Sequence, residues 1–212
     1  MRVELPRIWI ITNPEHPEGP VTPIARALEG CQAGLVGVQL RAHEAKDREL
    51  VAWGRALRAV TAQWGCVLTV NRRSDVAQIV DADGVHLPEA GLAPRAVRDL
   101  WPGGSLFGVS RHDRDGLDRA VEEKATYAFL SPVFAVPGKA APMGIERFAT
   151  QIAGVGIPTY ALGGIDAANV ATLIAAGACG IAVRRAIYEA REPRAALQRL
   201  LAELDKTAPN GD

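Results

Sequence analysis

Residues 159–185 read TYALGGIDAANVATLIAAGACGIAVRR. An apolar run from Thr159 to Leu162 turns at Gly163-Gly164, and from Asn169 to Ala176 the apolar residues Val170, Leu173 and Ile174 fall three and four apart. That spacing is the mark of an amphipathic helix. Asp166 stands before the helical stretch as an N-cap and Gly177 stands after it, where a left-handed residue ends a helix. A second apolar run, Gly180 to Val183, leads into Arg184-Arg185. Strand, turn, helix and strand in this order make one parallel βαβ unit.

The same alternation runs outward through the chain. Strands are expected at Ile8–Thr12, Leu35–Arg41, Val67–Arg72, Gly84–Leu87, Leu106–Ser110, Tyr127–Phe134, Thr159–Leu162 and Gly180–Val183, with helical spacing between them, as in Glu49–Trp64. Eight such units in 212 residues leave about 26 residues each, enough for a strand, a helix and two short loops. The expectation is an α/β fold: a single parallel (β/α)8 TIM barrel over residues 1–206, with Thr207–Asp212 a disordered tail. A doubly wound open sheet fits less well, because Thr12-Asn13-Pro14 stands where a dinucleotide fold carries its glycine fingerprint. Asp47 and Ser74 are further expected N-caps, and Gly65, Gly104 and Gly154 further helix stops. The proline- and glycine-rich stretches 14–20 and 135–144 should be loops after strands one and six.

Composition excludes several classes. Apolar residues make up 48% and charged residues 23%, with 24 basic against 24 acidic side chains and no block of like charge, so nucleic acid is not the expected partner. No apolar stretch approaches the roughly 18 residues of a membrane span. The first residues lack a secretory pattern, which makes a cytoplasmic location the expectation. Cys31, Cys66 and Cys179 are odd in number and widely spaced, which points to buried structural thiols rather than a disulfide framework or a metal knuckle.

In a barrel of this kind, chemistry gathers at the C-terminal ends of the strands. Gln39 and Arg41, Asn71 and Arg72, Ser110 and His112, Lys139, Gly163 and Gly164, and Arg184 and Arg185 all fall at those ends. The set is strongly cationic, and guanidinium forks match phosphate geometry, so a phosphorylated small molecule is the expected ligand. Adjacent glycines let backbone N–H groups approach an anion, which places the phosphate at Gly163-Gly164 and the start of whatever follows Val183. His112 can exchange protons near neutral pH and is the candidate acid/base. His86 reads as a structural residue, and His43, Glu89 and Asp113 as solvated loop residues.

The ordered set Val38-Gln39-Leu40-Arg41, Val70-Asn71, Ala82-Asp83-Gly84-Val85-His86-Leu87, Gly108-Val109-Ser110-Arg111-His112, Pro132-Val133-Phe134 and Ala161-Leu162-Gly163-Gly164-Ile165 resembles the successive strand ends of the thiamin phosphate synthase/TenI family. The resemblance implies two activities. Synthases join a pyrimidine pyrophosphate to a thiazole phosphate with Mg²⁺, whereas the TenI-like branch aromatises a thiazole phosphate carboxylate by moving a proton, without metal. At the positions of the two Mg²⁺ aspartates this chain has Arg72 and Gly91, and a cofactor is therefore not expected. Other departures are His43 for a lysine, Val136 and Gly138 for hydroxyl residues, and Pro88-Glu89 for Gly-Gln. Gln39, Arg41, Asn71, Ser110, His112, Lys139 and Gly163-Gly164 are retained. A TenI-like thiazole tautomerase with His112 as acid/base is the leading implication. Thiamin phosphate synthase is the alternative, and a non-catalytic phosphate-binding relative the third. The sequence leaves open the exact substrate and whether the chain forms a homo-oligomer.

Overall fold

The computed structural model describes residues 4–207, so residues 208–212 of the expected tail lie outside the described residues. Thr207 is ordered at a helix end, where its hydroxyl donates to Leu204 O at 2.9 Å. In chain order the elements are β1 Ile8–Ile11, α1 Thr22–Leu28, β2 Val36–Leu40, α2 Asp47–Gln63, β3 Val67–Asn71 and α3 Ser74–Ile79. There follow β4 Gly84–Leu87, α4 Pro94–Leu100, β5 Leu106–Arg111, α5 Arg114–Glu122, β6 Tyr127–Leu130 and α6 Gly144–Ile152. The chain then runs through β7 Thr159–Leu162, α7 Val170–Ala175, β8 Gly180–Val183, the short α8 Arg185–Tyr188 and α9 Pro193–Lys206. The strands pair in sequence order, all parallel, and β8 returns to β1, which closes the barrel. Among the described residues no helix is long and apolar enough to cross a membrane.

Both faces of each strand are buried, which is why the strands read as nearly continuous apolar runs rather than alternating ones. Outward residues such as Ile10, Val38, Leu68 and Val109 join the helices in one large cluster. Inward residues form a second cluster inside the barrel, dominated by Trp9, Tyr127, Phe129 and Tyr160. Trp9 stacks on Tyr127 with ring centroids 4.8 Å apart, and Tyr160 meets both Trp9 and Phe129 edge to face. Each of the three largest rings lies directly opposite a glycine on the neighbouring strand: Trp9 opposite Gly37, Tyr127 opposite Gly108, Tyr160 opposite Gly180. A Cβ on Gly108 would stand 2.1 Å from the Tyr127 ring, and one on Gly37 2.6 Å from Trp9.

Several local expectations are corrected. Strand six stops at Leu130 rather than Phe134, because Pro132 has no N–H for a ladder. Val133 and Phe134 donate instead to Leu162 O and Gly163 O, which turns the chain over the barrel mouth. Asp47 and Ser74 are the first residues of their helices, preceded by Lys46 and Arg73 at the cap position. Asp166 caps a turn through Ala168 N at 2.9 Å, ahead of α7. Asp113 caps α5, its carboxylate accepting from Gly116 N at 2.8 Å. Gly65, Gly154 and Gly177 have positive φ as helix stops should, but Gly104 does not; a side chain there would meet Phe107 and Trp101. Of the cysteines only Cys66 is buried, with Cys179 exposed.

The facing of ring and glycine predicts a coupled cost. Gly108→Ala should destabilise the fold by about 3 kcal/mol, the upper range for overpacking. In a Tyr127→Leu background the same change should cost much less, a coupling of about 1–3 kcal/mol in a double-mutant cycle read by urea unfolding. Additive effects would show that the two residues do not share the space.

Candidate functional site

The strand ends open into a cavity of about 880 Å³. Arg41, Asn71, Ser110, His112 and Lys139 line it, as do Gly163, Gly164, Arg184 and Arg185. Two expected residues are not part of the cavity wall: Gln39, only 2% exposed, sits in the barrel beneath the mouth, and Arg72 is exposed outside it. Sequence reading missed several wall residues, Ser131, Asp166 and Glu189 among them. His43 and Glu89, expected to be solvated loop residues, both line the cavity. Thr12 was missed as a positioning group. Fully buried at the end of β1, its hydroxyl accepts from Arg41 N at 2.8 Å and donates to Arg41 O at 3.1 Å, fixing the backbone that carries the guanidinium.

In three dimensions the mouth is less cationic than expected: Arg41, Lys139, Arg184 and Arg185 line it, but so do the carboxylates of Glu89, Asp166 and Glu189. Among the described residues, no ion pair engages Arg41, Arg72, Lys139, Arg184 or Arg185. Burial, and after it the charge of Arg184, lowers the Arg41 guanidinium from its ordinary value. His43 is likewise lowered, first by burial and then by Arg41 and Arg72. Unpaired like charges held this close are an arrangement that an anion relieves.

On the β7 and β8 side, Gly163 and Gly164 have φ of 107° and 65°. A Cβ on either would press on the backbone of Pro132 or Ala135, so the pair serves the packing of the β6 loop as well as the cavity. Asn169 holds the loop from behind, donating through Nδ2 to Gly164 O at 3.1 Å. Among the described residues, the backbone N–H groups of Gly163, Gly164, Arg184 and Arg185 find no protein acceptor. Helix α8 has only four residues, so its dipole adds little, and the positive charge here comes from side chains.

The floor is a buried hydrogen-bonded file. His86 Nε2 lies 2.9 Å from Ser110 Oγ, and its Nδ1 lies 3.2 Å from the Tyr127 hydroxyl. As expected of a structural residue, His86 closes the top of the aromatic interior, with its ring 4.3 Å from that of Phe129. Above this floor, His112 Nδ1 lies 2.6 Å from Ser131 O. A carbonyl only accepts, so Nδ1 carries the proton and Nε2 is left as the free position on the ring. Glu89 Oε2 stands 3.6 Å from that Nε2.

The side chains at the expected metal positions do not fit Mg²⁺. Arg72 is a cation, held at φ 65° and exposed. Gly91 offers no ligand, and the turn it closes has no room for one: a Cβ there would stand 2.9 Å from Pro88 O. Among the described residues no group of three or more His, Cys, Asp or Glu side chains could hold a metal ion.

The fold and the cavity define a closed (β/α)8 barrel whose mouth joins unpaired cations, free N–H groups and two histidines, His43 and His112. The family model described as thiamine monophosphate synthase matches residues 8–187, and the chain belongs to that family. It is 38% identical over 205 residues to the thiamine-phosphate synthase of Laribacter hongkongensis, covering 95% of this chain and 96% of that one. With the thiamine-phosphate synthase of Synechocystis sp. it shares 34% identity over 212 residues, spanning 98% of this chain but 60% of the relative. The structure of thiamine phosphate pyrophosphorylase from Pyrococcus furiosus superposes with a TM-score of 0.87 at 29% identity, covering 96% of this chain and 97% of that one.

The buried histidine gives a pH test. Burial, and then the charges of Arg111 and Arg41, pushes the His86 imidazole down to about 3. Unfolded histidine titrates near about 6.5, so from there downward the unfolded chain binds a proton that the folded chain does not. The contribution is therefore full above about 6.5 and is lost as pH falls toward the folded value. Urea unfolding at about pH 7 and about pH 4.5 should show His86→Gln losing about 2–3 kcal/mol less over that interval than wild type. Equal losses would mean that His86 titrates normally.

Proposed function

We propose that this chain is a metal-independent proton-transfer enzyme acting on a thiazole-type phosphate, with the tautomerase chemistry of the TenI-like branch. The observation that carries the reading is His112. Its Nδ1–H is committed to Ser131 O at 2.6 Å, which leaves Nε2 as a base at the wall of a cavity shared with unpaired N–H donors. The phosphate lies against the N–H groups of Gly163, Gly164, Arg184 and Arg185, with the two arginine side chains adding charge-assisted bonds. Arg41 and Lys139 take the second acidic group of the ligand. Nε2 removes a proton from the ring carbon, the electron pair stays on the ligand, and the same nitrogen returns the proton at another ligand atom. No step requires the Mg²⁺ that Arg72 and Gly91 are unsuited to hold.

A second reading, transfer of a pyrimidine from its pyrophosphate to a thiazole phosphate, is favoured by the names of the relatives and by the retained Arg41, Asn71, Ser110 and Lys139. Two assays separate the readings. Freshly generated thiazole carboxylate phosphate should be aromatised by wild type, with His112→Asn slower by about 10² to 10⁴ and phosphate-ligand affinity retained. Thiamin phosphate formation from pyrimidine pyrophosphate and thiazole phosphate should be absent with or without Mg²⁺. Mg²⁺-dependent product would establish the second reading, and ligand binding with neither turnover would establish a non-catalytic binder.

A further inference from the structure

The loop after β4 carries Pro88-Glu89, and Glu89, though solvent-exposed, lines the rim of the cavity. Its two carboxylate oxygens face different partners. Oε1 lies 3.8 Å from the guanidinium of Arg119 on α5, and Oε2 lies 3.6 Å from His112 Nε2. The first turn of α5 closes behind it, since a Cβ on Gly116 would come within 3.2 Å of Oε1. Arg111 of β5 is the next cation behind the carboxylate, and Lys139 lines the same cavity.

Both ring nitrogens of His112 therefore face an oxygen, Ser131 O within hydrogen-bond distance on one side and the Glu89 carboxylate at ion-pair distance on the other. A neutral imidazole carries one N–H, and Ser131 O takes it. Glu89 then faces a lone pair, and its charge has no partner on the ring until Nε2 gains a proton. Once it does, the imidazolium stands beside a carboxylate at ion-pair distance. An amide at this position would supply an oxygen but no charge.

We infer that Glu89 is a positioning residue for His112, anchored by Arg119, that stabilises the imidazolium formed when Nε2 takes a proton from the ligand. The inference rests on the reading of His112 as the proton carrier. In the step itself the ligand C–H bond breaks, the Nε2–H bond forms, the electron pair remains on the ligand, and Glu89 gains no bond. It offsets the new positive charge, and the proton goes back to the ligand from Nε2.

The test uses the full chain as wild type, Glu89→Gln, Glu89→Asp and Arg119→Gln. Nitrogen NMR of the His112 ring at about pH 6.5 reads the fraction of imidazolium whether or not the protein turns over. Glu89→Gln should lower the protonation equilibrium about threefold, the scale of a partly exposed ion pair, with Glu89→Asp restoring part of it and Arg119→Gln weakening it. In the tautomerase assay Glu89→Gln should lower kcat about tenfold while KM stays within about twofold, since the group acts after the ligand is bound. An unchanged imidazolium fraction in Glu89→Gln overturns the inference even if turnover falls, because a loop tied only to Arg119 would lose rate without altering the ring. A wild type without turnover would instead sink the proton-transfer reading, and the ring spectrum would still decide the role of Glu89.

Discussion

Three inward rings, each opposite a glycine on the next strand, fix how this barrel closes. Trp9 faces Gly37, Tyr127 faces Gly108, and Tyr160 faces Gly180. Interiors pack at crystal density, so a ring of this size can be accommodated only where its neighbour yields the volume of a side chain. Slipping any of these strands by one residue would turn a ring outward and bring an outward residue in. The fill thus sets the register, and the register sets which strand-end residues face the mouth. Arg41, Asn71 and Ser110 line the cavity because they continue the inward set of β2, β3 and β5 past the last packed layer.

The same interior supports the chemistry above it. His86 caps the aromatic stack and reaches Ser110, so a cavity residue is tied to the middle of the barrel through two hydrogen bonds. Burial keeps that histidine neutral, which suits it to holding a hydroxyl in place and unsuits it to carrying protons. His112 has the opposite setting. It is more than half exposed, with a carbonyl on one nitrogen and a carboxylate near the other. Two histidines on adjacent strand ends differ in depth, and the proposed proton transfer falls to the exposed one.

Around the rim, the loops bear the marks of substitution more than the strands do. Arg72 keeps a left-handed backbone that costs a non-glycine residue free energy, and that conformation suits the aspartate which the family resemblance places there. Pro88 and Gly91 close a turn with no space for a side chain, so the missing carboxylate could not return without moving the loop. The cavity walls contributed by β7 and β8 show no such change, and their N–H groups remain free.

The residue pattern by itself determined the barrel, the order of its units, and nearly all of the cations at the mouth. Apolar period, glycine stops and strand-end polar residues are local properties, and parallel βα units have few ways to assemble. Boundaries were less legible where a neighbour decides them: strand six ends early because Pro132 cannot donate and Leu162 captures the next N–H. Gln39 misled because alternation places it inward without saying how deep the packed layers reach. Only the tertiary structure could bring Glu89 to His112, since the two belong to different loops and a loop carboxylate carries no sign of its direction in the sequence. Thr12 and Arg41 met in the same way, across the β1–β2 pair. Distances between loops depend on barrel closure, and closure is a property of all eight strands at once.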